Sequence, residues 1–341
     1  MVVSPSAWFL ALLDGGNLLV VHNNQPTWSQ NLDTKAPFRT PWVFGFIEKL
    51  LNNRREDANM HTELVTIETN TDQPLDGAWY EPDGGSTAGA VMICHGNTMN
   101  FYVGAPRFLP PALTKLGFAC LSFNRRGHDV LSNRNSRSVE GAAFQTTAEG
   151  MEDNEFAAAW IMDKGYKAPV IIGHSNGGFL GVQYVSQHPE TPAMVLLSAH
   201  AGGTLAKHEL PRNSLLAGPK TPERRKEAEA MIADGRGDDI MVFPGWWYVA
   251  TARSYLDRLT TMPSTVETAP KIFCPTLYIR GDQESRDGYP AEDFSAKSSG
   301  SCDIEIVANC EHYYNGRQDE IIKLVSNWLV RQFNLESILS Y

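Results

Sequence analysis

Val170-Ile171-Ile172-Gly173-His174-Ser175-Asn176-Gly177-Gly178-Phe179-Leu180 is the stretch on which the fold of this chain turns. Val170, Ile171 and Ile172 are β-branched and apolar, as a buried strand requires, while residues 178–188 carry apolar side chains at helical spacing. Between the two stands Ser175 in a G-x-S-x-G frame. A strand that must turn at once into a helix leaves room only for small residues two positions either side of the turn. The strained backbone there lifts the serine hydroxyl out over the sheet. A helix beginning at Asn176 aims its free amides and positive dipole end at any negative charge that develops beside the hydroxyl. That arrangement suits attack by an activated serine; the plain alternative is a Gly-rich βα turn with an incidental serine.

Outward from this turn the chain alternates. Residues 88–94, 118–123 and 194–198 are short β-rich apolar runs like 170–173, and residues 105–116, 151–164 and 178–188 read as amphipathic helices, with Phe156, Trp160 and Ile161 on one face. Apolar strands separated by helix-length segments predict an α/β architecture, a mostly parallel, doubly wound sheet covered on both faces. Ahead of it, residues 63–69 and 78–81 alternate and are joined through Thr71-Asp72-Gln73-Pro74, predicting an antiparallel hairpin at the sheet edge. Past residue 203 the pattern stops. A charged helix over 222–233 is followed by Val242-Phe243-Pro244-Gly245-Trp246-Trp247-Tyr248 and by a helix reaching about residue 259. Strands at 275–280 and 304–308 and a closing helix at 317–333 then resume it. An interruption between two strands of one sheet is an insertion, so residues 204–262 are expected to form a helical cap on a core made of 62–203 and 263–341. Residues 1–61 fit no repeat of the pattern and are expected to be an extension packing on the core, with a helix over 44–51.

Further motifs sit at the ends of the other strands. Cys94-His95-Gly96-Asn97-Thr98 follows the strand at 88–94, and Phe123-Asn124-Arg125-Arg126-Gly127-His128 follows the next one. With the strand, G-x-S-x-G and helix already described, these make the chain resemble the α/β-hydrolase superfamily, in its serine esterase and lactonase branch, over about residues 62–338. The resemblance implies an oxyanion hole with the amide of Asn97 as one donor and the amide of Asn176 as the other. It implies a structural Arg-Gly turn, so Arg125, Arg126 and His128 are not expected to act in catalysis. A serine hydroxyl needs a base within hydrogen-bond reach. Among nine histidines, His312 lies in Ala308-Asn309-Cys310-Glu311-His312-Tyr313-Tyr314, after the last strand and before the last helix, where the superfamily carries its base. His200 and His208 are placed to approach the pocket. The triad acid belongs just past the penultimate strand, in Leu277-Tyr278-Ile279-Arg280-Gly281-Asp282-Gln283-Glu284. Three residues beyond the glycine is the superfamily's usual place, which points to Glu284; Asp282 is the alternative and Asp287 a distant third. The chain order Ser175, acid, His312 is the superfamily's order.

Aromatic residues mark the candidate pocket. Trp246, Trp247 and Tyr248 suit an apolar wall over the serine and equally suit anchors of the cap on the core. Phe101 and Tyr102, beyond Asn97, invite the same two readings.

Composition narrows the partners. The chain of 341 residues is 42% apolar and 20% charged, an ordinary globular balance with material for a sizeable core. Lys and Arg number 29 against 39 Asp and Glu, a net charge of −10 with no basic cluster, which argues against nucleic acid and anionic membrane surfaces as partners. Five cysteines, an odd count without C-x-x-C spacing, read as small buried hydrophobes rather than a disulfide framework or zinc site. Residues 8–13 and 18–21 are apolar but split by Asp14-Gly15-Gly16, with no Lys or Arg before them, unlike a secretory leader. No run approaches the roughly 18 apolar residues of a membrane span. A cytoplasmic location follows as the expectation. No metal or organic cofactor is implied, the partner is a small-molecule substrate, and a homodimer is left open. The activity expected is serine hydrolysis of a small carboxylic ester or lactone. Amide or C–C bond hydrolysis and a ligand-binding role with little turnover are the alternatives. A serine at the elbow disfavours the dehalogenase and epoxide hydrolase branches, which need a carboxylate nucleophile.

Overall fold

Runs of β-branched and apolar residues become the interior of a sheet here because they are covered on both faces. The computed structural model describes residues 11–14, 17–22, 25–29, 61–134, 138–203, 218–243 and 248–335. The chain divides into two units, residues 1–58 and 59–341. In the first, β1 (Ala11–Asp14), β2 (Asn17–His22) and β3 (Gln25–Ser29) form an antiparallel sheet in the order β1-β2-β3. The helix expected over 44–51 lies outside the described residues.

The second unit is built on one eight-stranded sheet. Its strands are β4 (His61–Ile67), β5 (Leu75–Glu81), β6 (Gly89–Cys94), β7 (Phe118–Phe123), β10 (Val170–His174), β11 (Met194–Leu197), β14 (Thr276–Gly281) and β15 (Cys302–Val307). Two short antiparallel pairs are also present among the described residues: β8 (Ser132–Asn133) with β9 (Val139–Glu140), and β12 (Ile240–Val242) with β13 (Val249–Thr251). The large sheet runs β15-β14-β11-β10-β6-β7-β5-β4. The hairpin β4–β5 is antiparallel, as is β5 against β7, and the remaining pairs are parallel.

Alternation along each strand feeds two cores. Met92, Cys94, Ile171 and Leu196 point to one face with α3 (Thr147–Asp163), α4 (Asn176–Val185) and α8 (Ala291–Lys297). Val91, Ile93, Ile172 and Val195 point to the other, against α2 (Pro110–Lys115) and α9 (Gln318–Phe333), where Ile321, Val325, Trp328 and Leu329 recur at helical spacing. The sheet is thus doubly wound.

Local chemistry shifts several boundaries. The single helix expected over 105–116 is two, α1 (Ala105–Phe108) and α2. Pro110 and Pro111 lack amide protons and their rings exclude the preceding turn's carbonyls, so a helix can start there but not run through. Helix α3 begins at Thr147, ahead of its apolar face, because Thr146 and Glu149 close a capping box. All five cysteines are free; Cys302, expected to be buried, is only half-buried, on the edge strand β15.

The insertion contains α5 (Thr221–Ala233) and α6 (Ala252–Thr260), with α7 (Thr265–Thr268) after it. It is not purely helical, because β12 and β13 lie between α5 and α6. Met241, Ala250 and Thr251 are the buried residues of that pair, too short an alternation to stand out from the aromatic segment between the strands. Ala228, Met241, Phe243, Tyr248 and Tyr255 pack with Ala142 of the core in a third cluster. Thr147 N–H and Oγ1 donate to Asp257, and Ser254 Oγ donates to the Gln145 carbonyl, tying α6 to the start of α3. Among the described residues no helix is long and apolar enough to cross a membrane.

Candidate active site

Strand β6 has β7 on one side and β10 on the other, so successive connections leave its neighbourhood in opposite directions. Such a switch point opens a crevice at the carboxyl ends of the strands. Gly173 pairs with Cys94 across it, which sets His95-Gly96-Asn97 beside His174-Ser175-Asn176. Ser175 holds φ 54° and ψ −117°, a conformation that costs a non-glycine residue about 1–3 kcal/mol. The frame that imposes it is steric. A Cβ on Gly173 would lie 2.5 Å from the Gly177 carbonyl oxygen, and one on Gly177 would lie 2.3 Å from that of Cys94. Backbone bonds fix the turn: Ser175 N–H donates to the Leu197 carbonyl (2.9 Å), and the Ser175 carbonyl accepts from Phe179 and His200. Among the described residues Ser175 Oγ itself makes no hydrogen bond.

His312 comes to this turn from the loop between β15 and α9. His312 Nδ1–H donates to Glu284 Oε1 at 2.7 Å, and the His312 carbonyl accepts His174 Nε2–H at 2.9 Å. The rings of His174 and His312 are 4.8 Å apart. His174, next to the serine, therefore anchors the loop that carries His312. Its own imidazole stays neutral, pushed down to about 3 by burial and by His312 beside it.

Glu284 is held from three sides. Its Oε2 accepts Ser198 Oγ–H at 2.5 Å and Gly281 N–H at 2.8 Å, while Oε1 faces His312. The single proton of Ser198 goes to the carboxylate, so the Tyr314 hydroxyl, 2.6 Å away, donates to Ser198 in turn. Burial would raise this carboxyl; the bonds from His312, Ser198 and Gly281 outweigh it and hold Glu284 below its ordinary value. Asp282 is turned away: its exposed carboxylate accepts the amides of Cys310 and Asn309 and braces the turn. Asp287 is exposed. Of the three acids considered, only Glu284 meets His312.

The opposite flank is built on His95. Its Nδ1–H donates to the Gly96 carbonyl at 2.7 Å and its Nε2 accepts Arg125 N–H at 3.1 Å. Burial, then the Arg125 cation, keep the ring neutral, well below the usual imidazole range. Arg125 Nη2 donates to the His95 carbonyl, while Nε and Nη1 are buried without a protein partner. Arg126 next to it has Asp153 at 2.6 Å. His128, in the same turn, bridges Asp129 and Glu140. A Cβ on Gly96 would approach Met99 Sδ (2.9 Å) and Ser175 Cβ (3.4 Å), so the loop lies against the serine. Neither the Asn97 nor the Asn176 amide donates to a protein acceptor among the described residues.

The aromatic candidates separate. Tyr248 is buried in the cap, with its hydroxyl on the Ala142 carbonyl and on the Asn97 side chain, so one residue joins cap, core and the loop beside Ser175. Phe101 and the exposed Tyr102 pack edge to face at 5.3 Å. Trp246, Trp247 and His208 lie outside the described residues. Sequence reasoning missed His174, Ser198, Tyr314 and Tyr289, whose ring stands 4.8 Å from that of His312. His200 is near it, 6.2 Å from Tyr289, and burial followed by His312 pushes it down to about 4. The only signal available was position: Ser198 ends a strand on the site's side of the sheet, and Tyr314 follows the histidine. No group of side chains suited to hold a metal ion occurs among the described residues.

Comparison with known proteins agrees with this architecture. The family model for the alpha/beta hydrolase fold matches residues 89–228. The acylamino-acid-releasing enzyme of Sus scrofa is 31% identical over 203 residues, 58% of this chain and 24% of that protein. The chain thus spans about a quarter or less of the length of the curated relatives it matches. A carboxyl esterase from Bacillus coagulans aligns with TM-score 0.58 at 13% identity, over 80% of this chain and 99% of its own. Dienelactone hydrolase from Anabaena variabilis aligns with TM-score 0.51 at 17% identity, over 80% and 98%. Sheet order, the Ser175 turn and these matches show that the chain has the α/β-hydrolase fold.

Proposed function

We propose that this chain is a serine hydrolase that cleaves a small carboxylic ester or lactone through an acyl-enzyme on Ser175. The observation that carries the reading is the Glu284–His312 pair, bonded at 2.7 Å and tethered by His174 to the strained turn that presents Ser175. His312 Nε2 removes the Ser175 proton as Oγ attacks the carbonyl carbon. Glu284 fixes the imidazole tautomer and stabilises the imidazolium that forms. The amides of Asn97 and Asn176 receive the negative oxygen, and His312 returns its proton to the departing alkoxide. Water, deprotonated by the same imidazole, then attacks the acyl-enzyme and Ser175 leaves with the proton.

Support from relatives is by name: a carboxyl esterase and a dienelactone hydrolase share the fold. The match to the acylamino-acid-releasing enzyme favours an acyl-amide substrate as the second reading, since the same steps release an amine in place of an alcohol. The test is Ser175→Ala on a panel of short p-nitrophenyl esters, lactones and acyl-amino-acid amides, with phosphonate labelling. The expected result is loss of turnover and of label together; turnover surviving in Ser175→Ala overturns the proposal. No turnover and no label in the unaltered protein favours a ligand-binding role.

A further inference from the structure

A cavity of about 470 Å³ opens between the segment after β6 and the loop that carries His312. Its size is that of a small-molecule site. Two of its walls also touch the candidate active site. The Tyr313 ring stands 5.0 Å from His312, and Met99 lies across Gly96 from Ser175. A substrate with its carbonyl at Ser175 therefore has this cavity within reach of one arm. Phe108 joins Met99 and Tyr313 as apolar lining, while Arg107, Asn315 and Gln318 supply the polar lining. A Cβ on Gly104 would lie 2.5 Å from the Met99 methyl, so the wall is shaped to that glycine.

The charge of the lining is one-sided. Arg107 is the charged residue among the lining residues, and no carboxylate accompanies it. Among the described residues the Arg107 guanidinium has no hydrogen bond or ion pair with the protein, and neither carboxamide has a partner. Elsewhere on this acidic chain the surface guanidiniums of Arg134, Arg225, Arg286 and Arg317 all lie within 4.0 Å of a carboxylate. Glu311, the nearest acid on the loop, already accepts the amides of Tyr313 and Asn315 at 3.0 and 2.9 Å. What remains is an apolar slot beside unopposed donors, one of them a planar fork that matches a carboxylate.

We propose that this cavity is the subsite for a substrate arm ending in a carboxylate, held by Arg107 with Asn315 and Gln318, so that the enzyme prefers anionic over neutral acyl esters. The inference rests on the reading of Ser175 as nucleophile. Two matched pairs test it on the full chain: p-nitrophenyl butyrate against the mono-p-nitrophenyl ester of glutarate, and phenyl acetate against 3-acetoxybenzoate. They place the carboxylate on the acyl and on the leaving side. In one pair the anionic ester is preferred, and Arg107→Gln lowers its kcat/KM ratio to the neutral ester by about tenfold or more, as expected for one charge-assisted pair. Arg107→Lys keeps part of that ratio, and salt lowers it. A ratio unchanged within about twofold in both pairs overturns the subsite. If no ester is turned over, the reading of Ser175 has failed separately, and calorimetry with 4-phenylbutyrate against 4-phenylbutyramide reads the cavity directly. Carboxylate preference that Arg107→Gln removes keeps the subsite; equal binding, or none, overturns it.

Discussion

The two flanks of Ser175 are held by different means. On the β11–β14 side a file of side chains, Tyr314 to Ser198 to Glu284 to His312, passes hydrogen bonds from a buried hydroxyl to an imidazole whose side chain is 21% exposed. On the β6–β7 side the hold is on backbone: Arg125 grips the carbonyl of His95 and offers its own amide to the ring. In the proposed reaction the first flank changes charge, so it needs a carboxylate already ionised and fixed. The second would present amides without moving, and a buried cation that locks a carbonyl suits that task. In the first, a carboxylate faces His312; in the second, a guanidinium without a carboxylate partner lies behind the loop.

Breaking the first flank at its centre gives the largest effect. Glu284→Gln is expected to lower kcat by about 10³–10⁴ while KM stays close, because the amide cannot stabilise the imidazolium and favours the wrong tautomer. Steady-state kinetics on a p-nitrophenyl ester checks it, and a loss below about tenfold breaks the assignment. The second flank should yield less. Arg125→Met keeps the buried stem but leaves the His95 carbonyl without its donor, costing about 1–3 kcal/mol of stability and about 10–100-fold in kcat through displaced amides. Thermal unfolding and kinetics measured together decide whether loop position or global stability changed.

A finer cut reaches the file behind the acid. Ser198→Ala removes one of the bonds that hold Glu284 below its ordinary value, for an expected loss of about tenfold. The sign with pH follows from that direction. A depressed carboxyl contributes stability that is complete above its unfolded-state pKa and lost as pH falls through the lowered folded value. With Ser198 gone the folded value rises, so the loss of this stability on acidification begins at higher pH; an acid-unfolding midpoint that does not move breaks the link. Smallest of all, Asp282→Asn should change kcat by no more than about twofold, since its carboxylate meets amides of the next loop rather than His312.

How much of this was legible in the chain depends on how local each demand is. Val170 to Ile172 and the other strands are readable because a strand covered on both faces needs apolar residues at nearly every position. The break at Pro110 and the cap at Thr146 were readable from residue chemistry, yet a pattern of apolar spacing alone ran past both. The antiparallel pair β12–β13 was hidden because three-residue strands carry too little alternation. At the site, Ser175 stands out because its turn demands Gly173 and Gly177 around it, a requirement contained within five residues. Ser198, His174 and Tyr314 were not legible in that way. Their roles arise from partners 86, 138 and 116 residues away.

Sequence alone therefore determined the α/β alternation, the elbow, and a short choice of acids on a single turn. Which acid meets His312 was decided only in three dimensions. Glu284 and Asp282 are two residues apart, and the curl of that turn after β14 sends one carboxylate inward to His312 and Ser198 and the other outward to Cys310. The physical reason is one of range. Apolar periodicity and steric exclusion act between near neighbours and are written into short stretches, whereas a hydrogen-bonded carboxylate depends on the register of separate strands. That register exists only once the sheet has formed.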